Sequence, residues 1–161
     1  MVSISIESNG RLERTAIYYN GEQISKVKEL LINIDEDGTF DSIIKYENTS
    51  GVIQAKNIFD DYLQDLITVE PRVSEEEAQN LHLLTIESDG TLNNTMVFIN
   101  DVQQDGLTGL FIQLKGGNLN DDKSFFGWMK TDTKSNTIDF TFKAEIKFRN
   151  EDNSIDTQNI F

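Results

Sequence analysis

The chain has 161 residues, a formal net charge of −14 and no cysteine. This length allows one sizeable core or two small ones, and the lack of cysteine excludes disulfides and thiolate chemistry. Because phosphate binding depends on clustered Lys and Arg, so acidic a chain is not expected to bind nucleic acid or anionic membranes directly. No apolar run reaches the ~18 residues of a membrane-spanning helix. The start, Met1 to Glu7, lacks the pattern of a secretory signal, so we expect synthesis in the cytoplasm.

The first element is an alternating segment, Ile4 to Ser8, which predicts a β-strand ending at the turn dipeptide Asn9-Gly10. Asp35 to Asp41 has the composition of a calcium loop, but Gly38 stands at position four of it rather than at position six. We therefore interpret it as a turn between strands. Further strands of this half are predicted over residues 15–19, 27–34 and 40–47.

A different pattern follows, because apolar residues stand at 58, 59, 62, 63, 66 and 67. This is a helical stripe, and it predicts a short helix over residues 57–67. An acidic stretch at 68–80 then predicts a linker.

The sequence repeats itself. Residues 84–114 align with residues 4–34 at an offset of 80, and ten of the 31 aligned positions are identical. At an offset of 82, Ser42 to Tyr46 match Ser124 to Trp128. Strands are thus predicted over 84–88, 95–99, 107–114 and about 123–130, with a turn at 115–118.

The last predicted strand is the clearest, since apolar and polar residues alternate strictly from Ile138 to Phe148. Its polar face, which includes Lys143, Lys147 and Arg149, faces either solvent or a neighbouring subunit.

The fold class is therefore mostly β, as two tandem copies of a small β-sandwich or barrel-like domain with a short helix ending the first copy. The first copy spans residues 1–67, the linker 68–80 and the second copy 81–161. The sequence leaves open whether the copies form one core or two.

No residue set indicates catalysis, a metal or a cofactor, and we expect no enzyme. The one histidine, His82, aligns with Val2 and is interpreted as a packing or strand-edge residue. Polar residues shared by both copies mark either twin binding sites or turn chemistry; they are Glu7/Glu87, Ser8/Ser88, Thr15/Thr95 and Asn20/Asn100.

Two surfaces are candidates for binding. Trp128 and Phe125 form either a stacking platform for a ligand or part of a core strand. An acidic stretch forms either a docking surface for a protein partner or a solvated face; its acids are Asp60, Asp61, Asp65, Glu75, Glu76 and Glu77.

The first copy carries Thr15-x-Ile17-Tyr18-x-Asn20-Gly21 followed by Ile24, Val27, Leu30, Ile32 and Ile34. This pattern resembles one in small β-rich accessory proteins of tailed bacteriophages. In the second copy Asp101 and Gln104 replace Gly21 and Ile24. The resemblance implies a non-enzymatic virion or accessory protein and assigns no site residue.

Three functions remain in competition. In the first, the chain is a structural or accessory interaction protein, such as a phage virion decoration or assembly component that self-assembles or joins a larger shell. Alternatively, it is an acidic inhibitor or anti-defence protein that binds a basic host protein. In the third, it is a small-ligand or carbohydrate-binding module.

Overall fold

The computed structural model describes residues 1–70, 80–119 and 141–161, whose regular structure is almost entirely β-strand. The strands of the first copy are β1 (Val2–Ser8), β2 (Ala16–Tyr19), β3 (Glu22–Ile24), β4 (Val27–Asp35), β5 (Phe40–Glu47) and β6 (Ile53–Asn57). Those of the second are β7 (His82–Ser88), β8 (Thr95–Ile99), β9 (Val102–Gln103), β10 (Leu107–Leu119), β11 (Thr141–Arg149) and β12 (Ile155–Asn159). Short 3₁₀ turns, Leu12–Arg14 and Leu92–Asn94, precede β2 and β8. Within these ranges no helix is long and apolar enough to cross a membrane.

The strands form two six-stranded antiparallel sheets. The first sheet has the order β3-β2-β1-β7-β8-β9, and the second has the order β12-β11-β10-β4-β5-β6. Each copy contributes three neighbouring strands to each sheet, so the copies are joined along β1–β7 and along β4–β10. The prediction of a mostly β, sandwich-like fold is confirmed.

A pseudo-twofold axis relates the two copies. In the first sheet Ser5 lies opposite Thr85, and in the second sheet Ile32 lies opposite Ile112. Each of these pairs consists of residues 80 positions apart, which is the repeat offset. Equivalent strands therefore pair with each other around a shared centre, and the hydroxyl oxygens of Ser5 and Thr85 lie 2.9 Å apart there.

The copies form one core. Alternation along the central strands turns every second side chain inward, so that Ile6, Ile32, Ile86 and Ile112 are all buried in a single hydrophobic cluster. Because that cluster draws on both copies, the two halves share their largest source of stability.

The structure corrects the alignment of the last strands. β5 matches β11, because Leu30 lies opposite Ile44 while its equivalent Leu110 lies opposite Ile146. The offset between equivalents thus rises from 80 to 102, and the second copy has 22 additional residues between β10 and β11. The similarity between 42–46 and 124–128 therefore does not mark equivalent strands, and residues 123–130 lie outside the described residues.

The same offset aligns the ends of the copies. Asn57-Ile58-Phe59 is repeated as Asn159-Ile160-Phe161. Phe59 packs edge-to-face on Phe40 with ring centroids 5.8 Å apart, and Phe161 packs in the same way on Phe142, also at 5.8 Å. In each copy this apolar segment therefore packs on the core beside the fifth strand of that copy.

The predicted helix over 57–67 is wrong; Asn57 ends β6, and turns and irregular loop follow it. The side-chain oxygen of Asn57 accepts the N–H groups of Phe59 and Asp60 at 3.0 and 3.2 Å. Ile58 and Phe59 both point into the core, and Asp65 has a positive φ of 55° that ends any helical run. Burial of adjacent apolar residues in a turn produced a pattern that resembles a helical stripe.

Two turn predictions had different outcomes. The 35–41 segment connects β4 to β5 as expected, with the Asp35 N–H donating to the Thr39 carbonyl at 2.9 Å. The predicted turn at 115–118 is wrong, because β10 continues to Leu119, with an irregularity in its pairing to β4 after Lys115. The strand predicted from residue 138 is described over Thr141–Arg149, and residues 138–140 lie outside the described residues.

Candidate functional site

The shared Ser and Thr residues build turns. The Thr15 hydroxyl donates to the Arg11 carbonyl at 2.6 Å, and its oxygen lies 2.8 Å from that of Ser8. The Ser8 hydroxyl in turn accepts the N–H of Gly10 at 3.0 Å. The second copy repeats this set of bonds with Ser88, Gly90 and Thr95.

The shared asparagines join strand ends. The Asn20 side chain accepts the N–H of Ser3, and the Asn100 side chain accepts the N–H of Leu83, both at 2.9 Å. Both asparagines have a φ of 50°, a conformation that Asn tolerates better than most residues. These identities between the copies are explained by backbone geometry, which removes their support for twin binding sites.

The described residues contain no group of three or more His, Asp and Glu side chains placed to hold a metal. His82 is exposed at the start of β7, with its Nδ1 atom 3.2 Å from the side-chain nitrogen of Asn100. It thus lies at the start of a strand, as Val2 does, and is neither buried nor on an edge strand.

The acidic candidates fall into two groups. Glu75, Glu76 and Glu77 lie outside the described residues, as do Trp128 and Phe125. Asp60, Asp61 and Asp65 lie together on the exposed loop after β6. Asp60 packs against Gly90 of the second copy, where φ is +96° and a Cβ atom would collide with its carboxylate.

The same loop exposes an aromatic side chain that the sequence analysis assigned to the helical stripe. Tyr62 is 82% exposed, between Asp61 and Leu63, which is buried. Burial, and then proximity to Tyr62, raise the pKa of Tyr19 above its ordinary value. Tyr62 is therefore an exposed phenol on an acidic loop.

Sheet edges are the other feature of this fold that can bind protein, since an edge strand has unpaired backbone groups. In the first sheet, the β3 edge is covered by residues 67–69. The Val69 N–H donates to the Gln23 carbonyl at 2.9 Å, and the Ser25 N–H donates to the Ile67 carbonyl at 2.8 Å. The opposite edge, β9, is only two residues long.

In the second sheet, the β6 edge is capped at one end. The Asn57 N–H donates to the Asp61 carboxylate at 2.7 Å, and the Asp61 N–H donates to the Asn57 carbonyl at 3.1 Å. Asp61 therefore occupies the place that an added strand would take at Asn57. Within the described part of the chain, Ile53 and Ala55 remain as the uncapped edge positions of β6.

The edge formed by β12 has no such cap among the described residues. All five of its residues are exposed, including Ile155 at 48%, and within the described chain it pairs only with β11. The Ile160 N–H donates to the Ala144 carbonyl at 3.0 Å. Because antiparallel bonding alternates, the backbone groups of Ile155, Thr157 and Asn159 point away from β11.

The β12 edge is held in place from both ends. After it, Phe161 is fixed on Phe142; before it, the Asn150 N–H donates to the Ser154 carbonyl at 2.8 Å. The edge is thus a rigid row of donors and acceptors, which suits it to binding an extended strand.

The polar face of β11 borders this edge, and its charges are partly paired. Arg149 forms an ion pair with Glu36, and the Lys143 ammonium lies 3.8 Å from the Glu145 carboxylate and 5.3 Å from the centre of the Phe111 ring. Residues 141–159 contain three basic and four acidic residues, so the β11–β12 hairpin has a net charge of only −1.

Comparison with protein-family models, curated proteins and solved structures finds no match to this chain. The site must therefore be interpreted from its own geometry, which offers backbone pairing at β12 and an acidic loop around Tyr62.

Proposed function

We propose that this chain is a non-enzymatic structural or accessory protein that acts by binding other protein subunits, as a decoration or assembly component of a phage particle does. The observation that carries this proposal is the edge of β12, whose five residues are all exposed and which has no cap among the described residues. An added strand there gains main-chain hydrogen bonds and extends a sheet that is already formed. The resemblance of the first copy to phage accessory proteins supports the same class.

The rigidity of the scaffold also supports this proposal. A binding edge works best when its backbone is ordered before the partner arrives, since ordering it on binding costs affinity. β12 is fixed by its pairing with β11 and by the buried Ile160 that follows it.

A proline variant tests the edge directly. Thr157→Pro removes an N–H that points away from β11, so the hairpin keeps its own hydrogen bonds while the edge loses a donor. Ala55→Pro in β6 is the matched control, because Ala55 is the equivalent of Thr157 in the first copy. Native mass spectrometry of the protein from its natural source then reports bound subunits for each variant.

We expect stoichiometric subunit binding by the wild type and by Ala55→Pro, and its loss in Thr157→Pro. Equal binding by Thr157→Pro and the wild type would show that β12 is not the interface. A wild-type chain that binds no protein at all would refute the proposed function itself.

A second candidate function rests on Tyr62. Tyr is common among the residues that dominate protein interfaces, and three acids, Asp60, Asp61 and Asp65, share its loop. An inhibitor of a basic host protein would use such a surface.

This candidate differs from the first in its response to salt. Binding that rests on charge weakens as salt rises, and it fails when the acids at 60, 61, 65 and 75–77 are replaced together by Asn or Gln. Asn at position 61 keeps an oxygen that can accept the Asn57 N–H, so β6 stays capped. Affinity that is unchanged after these replacements would exclude this surface.

A further inference from the structure

We propose that the strand that occupies the β12 edge is β12 of a second molecule of the same chain. The two molecules then form a twofold dimer, in which the second sheet of one molecule joins the second sheet of the other to make one sheet of twelve strands. This inference rests on the proposed function and names its partner.

The edge is complementary to itself. In an antiparallel pair centred on Thr157, the Thr157 residues of the two molecules lie opposite each other. Ile155 of each molecule then lies opposite Asn159 of the other, and Asp156 lies opposite Gln158 of the other. The three residues whose backbone groups point outward are then all paired. No charged side chain lies directly opposite one of like sign, and a Thr–Thr pair is favourable across strands.

The chain already uses this geometry twice. β1 pairs with its equivalent β7 around Ser5 and Thr85, and β4 pairs with its equivalent β10 around Ile32 and Ile112. In each case an antiparallel pair is centred on equivalent residues. Pairing of β12 with a second β12 repeats the arrangement between molecules, and twofold dimers are the commonest closed assembly.

Charge also favours this edge for meeting an identical chain. Two molecules with a net charge of −14 repel each other, but the β11–β12 hairpin contributes only −1 of that charge. The repulsion that remains is between distant charges and is screened by salt. Dimer formation should therefore strengthen as salt rises, the opposite of binding to a basic partner.

The other edge of the same sheet is a weaker choice. If β6 of one molecule paired with β12 of the next, the contact would be head-to-tail, and such contacts build rings or open filaments rather than a twofold dimer. Asp61 already occupies the edge at Asn57, so that pairing would have to displace two hydrogen bonds.

The register is tested with cysteines, since the natural chain contains none. In the proposed pair, Asp156 of one molecule lies directly opposite Gln158 of the other, at a position where the two strands approach most closely. Asp156→Cys and Gln158→Cys proteins are each oxidised alone and as a mixture. We expect a disulfide-linked dimer from the mixture and little from either variant alone.

Sedimentation of the purified wild type over a range of concentrations, at low and high salt, gives the affinity. We expect a reversible dimer whose dissociation constant falls with salt. Thr157→Pro should raise that constant about thirty-fold or more, because the two hydrogen bonds exchanged by the paired Thr157 residues are lost. Ala55→Pro should leave it unchanged, and thermal melts establish that both variants are folded.

A wild type that stays monomeric at all concentrations would overturn this inference, as would linkage of either cysteine variant alone to the same extent as the mixture. If that monomer still binds a different protein in a manner sensitive to Thr157→Pro, the inference fails while the proposed function stands. If it binds none, both fail.

Discussion

Among the described residues, Tyr18 in β2 has the largest shift in pKa from its ordinary value. Its hydroxyl donates to the Glu7 carboxylate at 3.2 Å. Burial, and then the charge and hydrogen bond of Glu7, raise the pKa of Tyr18 from 10.0 to about 12. The neutral phenol is thus favoured in the folded protein.

This shift predicts a loss of stability at alkaline pH. Because the folded pKa lies above the unfolded one, the stabilising contribution is complete below about pH 10 and is lost as pH rises through about 12. Tyr18→Phe should make the fall in stability above pH 10 shallower and should remove the last transition in an ultraviolet titration of the four tyrosines. A transition that persists in the variant would assign it to another tyrosine.

Asp89 provides an acid-side prediction with a control inside the chain. Hydrogen bonds from the Thr91 side chain and N–H, and then from Asn94, hold the pKa of Asp89 below its usual value. The equivalent residue in the first copy is Asn9, which accepts the Arg11 N–H at 3.1 Å and has no such titration.

Since the folded pKa of Asp89 is lowered, its contribution is present above about pH 4 and is lost as pH falls through the folded value. Asp89→Asn should keep the turn. Between about pH 6 and about pH 3, the free energy of unfolding should fall less in this variant than in the wild type. Chemical denaturation at the two pH values measures this. An identical loss in the variant and the wild type would show that the carboxylate does not contribute.

At the scale of elements, alternation predicted the longer strands but not the short edge strands, because strands with one buried face place apolar residues at every second position. β4 and β11 follow that rule. The stripe over 57–67 followed a helical period for another reason: a turn placed Ile58 and Phe59 side by side in the core. The sequence pattern shows which residues are apolar, but it does not show the backbone conformation. Here the hydrogen bonds of the Asn57 side chain stabilise a turn instead of a helix.

The equivalence of β5 and β11 was not found from sequence, because 22 additional residues separate β11 from β10 and change the offset between the copies. The repeated Asn-Ile-Phe ends, 102 residues apart, are the signal that could have found it. The β12 edge could not be predicted without strand order, because exposure of Ile155 depends on which strands are neighbours.

The loop after β6 offers a matched pair of substitutions. Ile58 is fully buried and Tyr62 is 82% exposed, although a helix would have placed both on one face. We expect Ile58→Ala to lower the free energy of unfolding by about 2–5 kcal/mol through loss of buried methyl groups. Tyr62→Ala should change it by less than about 0.5 kcal/mol.

Denaturant unfolding of the two variants gives both values. Similar losses for Ile58→Ala and Tyr62→Ala would contradict the burial pattern of this loop and would restore the helix as an explanation.

At the scale of the whole molecule, the shared sheets make the two copies depend on each other. Separation at the connection between them would remove β7 from β1 and β10 from β4. Each half would then expose two central strand edges and half of the common core.

We therefore expect that neither the fragment 1–70 nor the fragment 80–161 is a folded monomer, and that a mixture of the two recovers cooperative unfolding. Circular dichroism melts combined with sedimentation measure this. A monomeric 1–70 fragment that unfolds cooperatively would show that the first copy stands alone.

The pseudo-twofold axis also bears on ancestry. Two identical half-length chains that met along their first and fourth strands would already possess these two sheets, and fusion of their coding sequences would convert that pair into one polypeptide. In such an ancestor any insertion would appear on both sides of the axis. Here the 22 extra residues lie on one side only, a difference that a single chain permits because its two halves can change independently.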